Sequence, residues 1–214
     1  MFSFIFTEHF HTRYTHFYMK KIAVFCGSSL GFDSAYKEAA IALGNEFVKR
    51  DIALVYGGGK IGMMGVLAET ILSQGGKVIG VIPTLLEKKE VVNRDVTELI
   101  VTKTMSERKV IMSKLCDGYI SLSGGFGTLD ELFEGLTLSQ LHIEQKPSGV
   151  LNTKGYFDYL LLQIDRMITD GFVKPSNKEL LIVSDSVEDL LQKMDAYQAP
   201  EKTHVINKVV KHDD

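Results

Sequence analysis

The sequence predicts an α/β protein: a single Rossmann-like domain with a mostly parallel sheet and helices on both faces. Three observations carry that expectation. Short apolar runs alternate with stretches of helical period from Lys21 onward. Loops rich in glycine and serine follow three of those runs, at 27–29, 57–62 and 123–128. Apolar residues make up 45% of the 214, enough to form a full core.

The elements follow in order. Ile22–Cys26 reads as a buried strand, and Tyr36, Ala39, Ala40, Leu43 and Phe47 lie on one face of a helix. Ala53–Tyr56 is a second strand and Met63–Ser73 a second helix. Lys77–Ile82 is a third strand, stopped by Pro83, and the charged stretch 84–96 is a loop with room for a short helix. Leu99–Thr102 is a strand, and Thr104-x-x-Glu107 is a capping-box start for the next helix. Gly118–Leu122 leads into a helix with Leu129, Leu132, Phe133 and Leu136 on its buried face. Gly149–Asn152 is a strand, followed by a helix with Phe157, Leu160, Leu161, Ile164 and Ile168 on one face. Leu180–Val183 is the last strand, and Val187, Leu190, Leu191 and Met194 give the last helix. Strands alternating with helices imply parallel pairing, and ligands in such sheets bind beyond the carboxyl ends of the strands. The three glycine-rich loops are therefore expected to converge on one cleft.

Residues 1–18, rich in aromatics and histidine, read as a poorly ordered N-terminal extension without the features of a signal peptide. Residues 19–196 form the domain, and 197–214 a polar C-terminal tail. A formal charge of −3 without long basic runs argues against a nucleic-acid surface. No apolar run approaches the roughly 20 residues of a membrane-spanning helix, so no membrane partner is expected. Two cysteines, Cys26 and Cys116, fit reduced thiols in a cytoplasmic protein. No histidine lies in the glycine-rich loops to activate Cys26 as a nucleophile. The His, Cys and carboxylate residues lack ligand spacing, so neither a metal nor another cofactor is expected.

The stretch Ser123-Gly124-Gly125-Phe126-Gly127-Thr128-Leu129-Asp130-Glu131 is the most informative. Glycines let backbone N–H groups approach an anion without a Cβ in the way, and a helix N-terminus adds free N–H groups and its dipole. The motif thus offers a phosphate cradle with a carboxylate one turn beyond it, suited to a phosphorylated sugar or nucleotide. A plainer reading is a capping box, with Thr128 as N-cap and Glu131 reaching back to it. Three preceding glycines favour the cradle, because capping alone does not call for them. Asp130 and Glu134 are expected to face solvent or a neighbouring chain. Arg108 and Lys109 sit in the first turns of a helix, where the dipole disfavours cations and an anionic ligand would explain them. Gly57-Gly58-Gly59-Lys60-Ile61-Gly62 matches the dinucleotide fingerprint but follows the second strand, and lacks an acidic partner about 20 residues on. It is read as a substrate loop in the same cleft.

Six stretches together resemble the Lonely Guy (LOG) family. They are Val24-Phe25-Cys26-Gly27-Ser28-Ser29, Tyr56-Gly57-Gly58-Gly59 running to Gly62-Met63-Met64-Gly65, and Val78-Ile79-Gly80-Val81-Ile82-Pro83. Met105-x-x-Arg108-Lys109, Gly124-Gly125-x-Gly127-Thr128-x-x-Glu131 and Gln145-Lys146-Pro147 complete the set. The resemblance spans roughly residues 20–195 and is to cytokinin riboside 5′-monophosphate phosphoribohydrolases, often mislabelled lysine decarboxylases. It implies a Rossmann-like homodimer that hydrolyses a nucleoside monophosphate, including cytokinin riboside 5′-monophosphate or AMP, to free base and ribose 5-phosphate. It carries catalytic roles onto Arg108 and Glu131, and phosphate binding onto Gly124, Gly125, Gly127 and Thr128. Gly27, Ser28, Gly58, Gly59, Met105 and Lys109 complete the candidate substrate-binding set. Ser123 departs from the family's usual proline and Asp130 from a common second glutamate. The alternatives are a nucleotide or molybdenum-cofactor carrier with the same cradle, and an NAD-dependent oxidoreductase using the 57–62 loop.

Overall fold

The computed structural model describes residues 19–87 and 91–200. The expected N-terminal extension, the tail from 201 onward and three residues of the 84–96 loop lie outside that range.

The strands are β1 (Lys21–Phe25), β2 (Ala53–Tyr56), β3 (Val78–Pro83), β4 (Glu98–Thr102), β5 (Gly118–Ser121), β6 (Ser148–Leu151) and β7 (Leu181–Ser184). The helices are α1 (Ser34–Lys49), α2 (Gly62–Leu72), α3 (Thr84–Glu87), α4 (Met105–Leu115), α5 (Phe126–Gln140), α6 (Asp158–Thr169) and α7 (Val187–Asp195). Among the described residues the strands form one seven-stranded sheet in the order β4-β3-β2-β1-β5-β6-β7, with every pair parallel.

The sheet is covered on both faces, which is why its central strands read as unbroken apolar runs. Strand alternation divides the core. Ile22 and Val24 of β1 pack with Leu54 of β2 under Leu43 and Phe47 of α1, Leu67 and Ile71 of α2, and Leu190 of α7. Their neighbours Ala23, Phe25 and Val55 face the other way, against Met112 of α4. Leu132 of α5 joins Val150 and Phe157 in a third cluster on that second side.

Helix starts follow local chemistry. Asp33 caps α1 by accepting the Ala35 N–H at 2.9 Å. Thr104 caps α4 by accepting the Glu107 N–H at 3.1 Å, and Glu107 in turn accepts the Lys103 N–H at 2.7 Å, so the box closes one residue early. The charged stretch after β3 does carry a short helix, α3. Pro83 is the last residue of β3, in register with Thr102, instead of lying beyond the strand.

The chain runs outward from β1 to β4, then α4 carries it back across the second face to β5 beside β1. The loops leaving β1 and β5 diverge to opposite faces, so a crevice opens between neighbouring strands at this switch point. The core beneath it fixes that geometry. Phe47→Ala, at a site with no exposed surface, is expected to destabilise the fold by about 3–5 kcal/mol, measured as a lowered midpoint in urea unfolding.

Candidate active site

A cleft of about 270 Å³ opens beyond the carboxyl ends of β1, β2 and β5. Its walls include Gly27 and Ser28 after β1, Gly57 after β2, Arg108 on α4, and Gly125, Gly127, Thr128 and Glu131 on and before α5. Gly124 lies on the adjoining lobe with Gly27, Ser28, Tyr36 and Tyr156.

The two loops are built against each other. The Gly27 N–H donates to the Ser123 carbonyl at 3.1 Å, and the Met63 N–H to the Gly27 carbonyl at 3.1 Å. A Cβ on Gly62, at φ +64°, would land on the Ser28 backbone, and one on Gly124 would land on Thr128 Oγ1. Gly125 and Gly127 differ: a Cβ on either meets nothing within 4 Å, so these two glycines leave open space at the helix start.

Helix α5 begins at Phe126 with Gly125 as its N-cap, and its first N–H bond is Leu129 to Gly125. Among the described residues the N–H groups of Gly125, Phe126, Gly127 and Thr128 find no acceptor. They are the free donors of a helix N-terminus facing the cleft. The capping-box alternative therefore fails. Thr128 is the third helical residue, not the cap, and Glu131 turns elsewhere.

Glu131 Oε1 accepts from Arg108 Nη1 at 2.8 Å, and both side chains are 10% exposed. Arg108 Nε donates to the Val81 carbonyl at 3.0 Å. Its Nη2 lies over Gly57, where a Cβ would come within 2.5 Å, so only glycine leaves room for the guanidinium. Burial raises the Glu131 carboxyl above the usual carboxylate range, and the charge of Arg108 and its hydrogen bond oppose the rise. Cys26 lines the same floor, but burial pushes its thiol far up and the charge of Glu131 adds to that, which disfavours a thiolate nucleophile.

Three residues of the expected binding set, Gly58, Gly59 and Met105, lie off the cleft, and a fourth, Lys109, lines an adjoining cavity that shares Glu131 with it. A Cβ on Gly58 would press on Ile82, and its carbonyl accepts the Asn93 N–H at 2.8 Å, while Gly59 pairs with Val92 and a Cβ there would press on Met64. These glycines seat the 91–96 segment beneath the loop and do not wall the cleft. Met105 is exposed at the start of α4. Lys109 points away from Arg108 and binds Asp130 at 3.1 Å and Glu134 at 2.6 Å. Asp130, 61% exposed, does face solvent as expected, and both carboxylates also share Lys109 as an intramolecular partner.

Sequence reasoning also missed a corner between β6 and α6. Tyr156 on that corner donates its hydroxyl to the Gly124 carbonyl, and Lys154 pairs with Asp33 at 2.6 Å. The only available signal was position: the corner follows a strand end on the same side of the sheet as the glycine loops.

The chain matches known proteins over most of its length. A family model described as possible lysine decarboxylase matches residues 64–194. The cytokinin riboside 5′-monophosphate phosphoribohydrolase LOG1 of Arabidopsis thaliana is 44% identical over 178 residues, covering 83% of this chain and 84% of that protein. The probable cytokinin riboside 5′-monophosphate phosphoribohydrolase LOGL9 of Oryza sativa subsp. japonica is also 44% identical, over 83% of this chain and 78% of its own. Among solved structures, the molybdenum cofactor binding protein of Rippkaea orientalis superposes with a TM-score of 0.63 at 23% identity, covering 82% of this chain and 95% of that one. The molybdenum cofactor carrier protein of Chlamydomonas reinhardtii gives 0.61 at 20% identity, over 83% and 98%. Likeness at those identities speaks to the Rossmann-like fold alone. With 44% identity across more than four-fifths of both chains, the chain belongs to the cytokinin riboside 5′-monophosphate phosphoribohydrolase (LOG) family, to which the possible lysine decarboxylase model also points.

Proposed function

We propose that this protein hydrolyses the N-glycosidic bond of nucleoside 5′-monophosphates, cytokinin riboside 5′-monophosphate or AMP, to free base and ribose 5-phosphate. The observation that carries the reading is a buried carboxylate–guanidinium pair in the same cleft as four free N–H groups at the start of one helix. The N–H groups of Gly125 to Thr128 take the 5′-phosphate, with the Thr128 hydroxyl beside them. Glu131, three residues on and therefore on the same helix face, lies next to the sugar.

Breaking the bond between C1′ and the base nitrogen leaves positive charge on the ribose, as in glycoside hydrolysis. The base departs with the bonding pair and takes up a proton, and water supplies hydroxide to C1′. Glu131 Oε2, which has no donor among the described residues, stabilises that charge or orients the water. Arg108 favours the ionised form of Glu131 against the effect of burial and holds it in one orientation. Its Nη2, without an acceptor among the described residues, is available to the substrate.

A second cavity of about 170 Å³ shares Phe25 and Glu131 with the cleft and is lined by Val110, Met112 and Leu138, with Lys109, Glu134 and Glu144 also on its wall. Its apolar walls suit a base with a hydrophobic substituent, which favours the cytokinin nucleotide over AMP. We infer a homodimer from the exposed Met105 and Val110 on α4 and Leu141 and Ile143 after α5, and a cytoplasmic setting from the two free cysteines. No helix among the described residues is long and apolar enough to cross a membrane.

The deciding experiment incubates the protein with a panel of nucleoside 5′-monophosphates and follows base and ribose 5-phosphate by chromatography. Wild type releases both, and Glu131→Gln loses about 100-fold or more in kcat while still binding nucleotide. Retained turnover in that variant overturns the role of Glu131. Nucleotide binding without release by wild type leaves a carrier. Thr128→Ala raises KM for the monophosphate by roughly tenfold, as expected for a lost hydrogen bond to a charged group; an unchanged KM removes Thr128 from the cradle.

The carboxyl of Glu131 is expected to titrate above its unperturbed value of 4.5 in a carbon-13 NMR titration of the free protein. Arg108→Met removes the positive charge that favours the anion, so the midpoint moves further up. A downward movement contradicts the pairing.

A further inference from the structure

The corner between β6 and α6 reaches both loops of the cleft. It turns through two left-handed residues, Lys154 at φ 53° and Gly155 at φ 71°. A Cβ on Gly155 would land on the Asp158 carboxylate. Asn152 braces the turn: its Oδ1 accepts the Phe157 N–H at 2.7 Å and its Nδ2 donates to Asp158 at 2.8 Å. The Tyr156 ring stands edge-on to Phe157 at 5.1 Å and to Tyr36 of α1 at 5.7 Å. The ring is therefore held on two sides, and its hydroxyl donates to the carbonyl oxygen of Gly124.

That hydrogen bond has a directional consequence. No described peptide is cis, and in a trans peptide the C=O and the following N–H point in opposite directions. Fixing the Gly124 carbonyl toward Tyr156 fixes the Gly125 N–H away from it. The preceding carbonyl, Ser123, is likewise occupied by the Gly27 N–H at 3.1 Å. A Gly–Gly peptide is the easiest kind to rotate, since neither residue has a Cβ to restrict it. A rotated Gly124–Gly125 peptide would present a carbonyl oxygen to a bound anion and repel it.

We propose that Tyr156 is a positioning residue of the anion cradle, its hydroxyl locking the Gly124–Gly125 peptide so that the Gly125 N–H faces the phosphate. The identity of the anion rests on the phosphoribohydrolase reading, whereas the peptide geometry applies to any phosphate held by the glycine loop.

The test is Tyr156→Phe, which keeps the ring and both edge contacts and removes only the hydroxyl. Ribose 5-phosphate is titrated into wild type and variant by calorimetry, and AMP and N6-isopentenyl-AMP turnover is followed for both. Affinity for ribose 5-phosphate is expected to fall about three- to tenfold, the effect of one hydrogen bond. KM for the nucleotides rises by the same factor with kcat within about twofold, and the thermal midpoint is unchanged. Lys154→Met, on the same corner but not bonded to Gly124, leaves the affinity unchanged. Equal ribose 5-phosphate affinity in wild type and Tyr156→Phe overturns the proposal, as does a loss that falls on kcat with KM unmoved. If wild type binds ribose 5-phosphate but releases no base, the activity reading fails while the affinity comparison still decides the role of Tyr156. A wild type that does not bind ribose 5-phosphate overturns both.

Discussion

The cleft depends on burying one guanidinium. Arg108 leaves the first turns of α4, donates to the end of β3 at Val81, passes over Gly57 at the end of β2 and meets Glu131 on α5. One side chain thus sets the relative positions of two strand ends and two helices. Withdrawing both charges from water is costly, and such a pair persists only where geometry and extra hydrogen bonds compensate it. Val81 provides the extra acceptor and Gly57 the space. Removing either partner would strand the other charge, a penalty of roughly 3–5 kcal/mol in comparable buried pairs. A second contact between the same helices, Lys109 with Asp130 and Glu134, lies further out, with Asp130 61% exposed. Screened contacts of that kind add little stability, but the lysine offsets the negative charge of Asp130 that would otherwise raise Glu131 further.

The glycines of the site do two different jobs. Gly57, Gly62 and Gly124 let the molecule touch itself, admitting Arg108, Ser28 and Thr128 where a Cβ would intrude. Gly125 and Gly127 touch nothing at that position and leave the helix N-terminus uncovered. The first kind brings three loops together; the second leaves the meeting point open. Residues of both kinds are needed, because loops that converged without open space would only plug the cleft.

How much of this could be read in the sequence varied with the range of the interactions involved. All seven strands fall within a residue or so of their expected positions, the central ones because burial on both faces makes them apolar runs, the half-buried edge strands β4 and β7 because they too are short runs rich in Leu, Ile and Val. The start of α5 was harder: its N-cap is Gly125, which offers no side chain as a marker, and Thr128-x-x-Glu131 imitated a capping box three residues too late. Arg108 and Lys109 are indistinguishable as neighbours in a motif, yet successive helical residues point about 100° apart. One turns inward to Glu131 and the other outward to Asp130, which only the packing of α4 on α5 decides. Gly58 and Gly59 followed the same logic, since their contacts lie with Ile82, Asn93 and Val92. Tyr156 meets Gly124 across 32 residues of sequence, a contact with no local signature.

Placing the cradle and the carboxylate on one helix has a mechanistic consequence. In the reaction proposed above, the N-terminus of α5 would bind the part of the substrate that does not react, and Glu131 would act on the part that does. Thr128 and Glu131 are separated by three residues, about 4.5 Å along a rigid axis, so the distance between phosphate and reacting carbon is set by helix geometry and not by a flexible loop. Under that proposal, binding energy from the remote phosphate would go into orientation at C1′, where it would accelerate the chemical step. The helix dipole serves both ends of that arrangement, favouring the phosphate directly and the ionised Glu131 in its second turn more weakly. A nucleoside without the phosphate forfeits this alignment as well as its anchor, so its deficit appears in kcat and not only in KM.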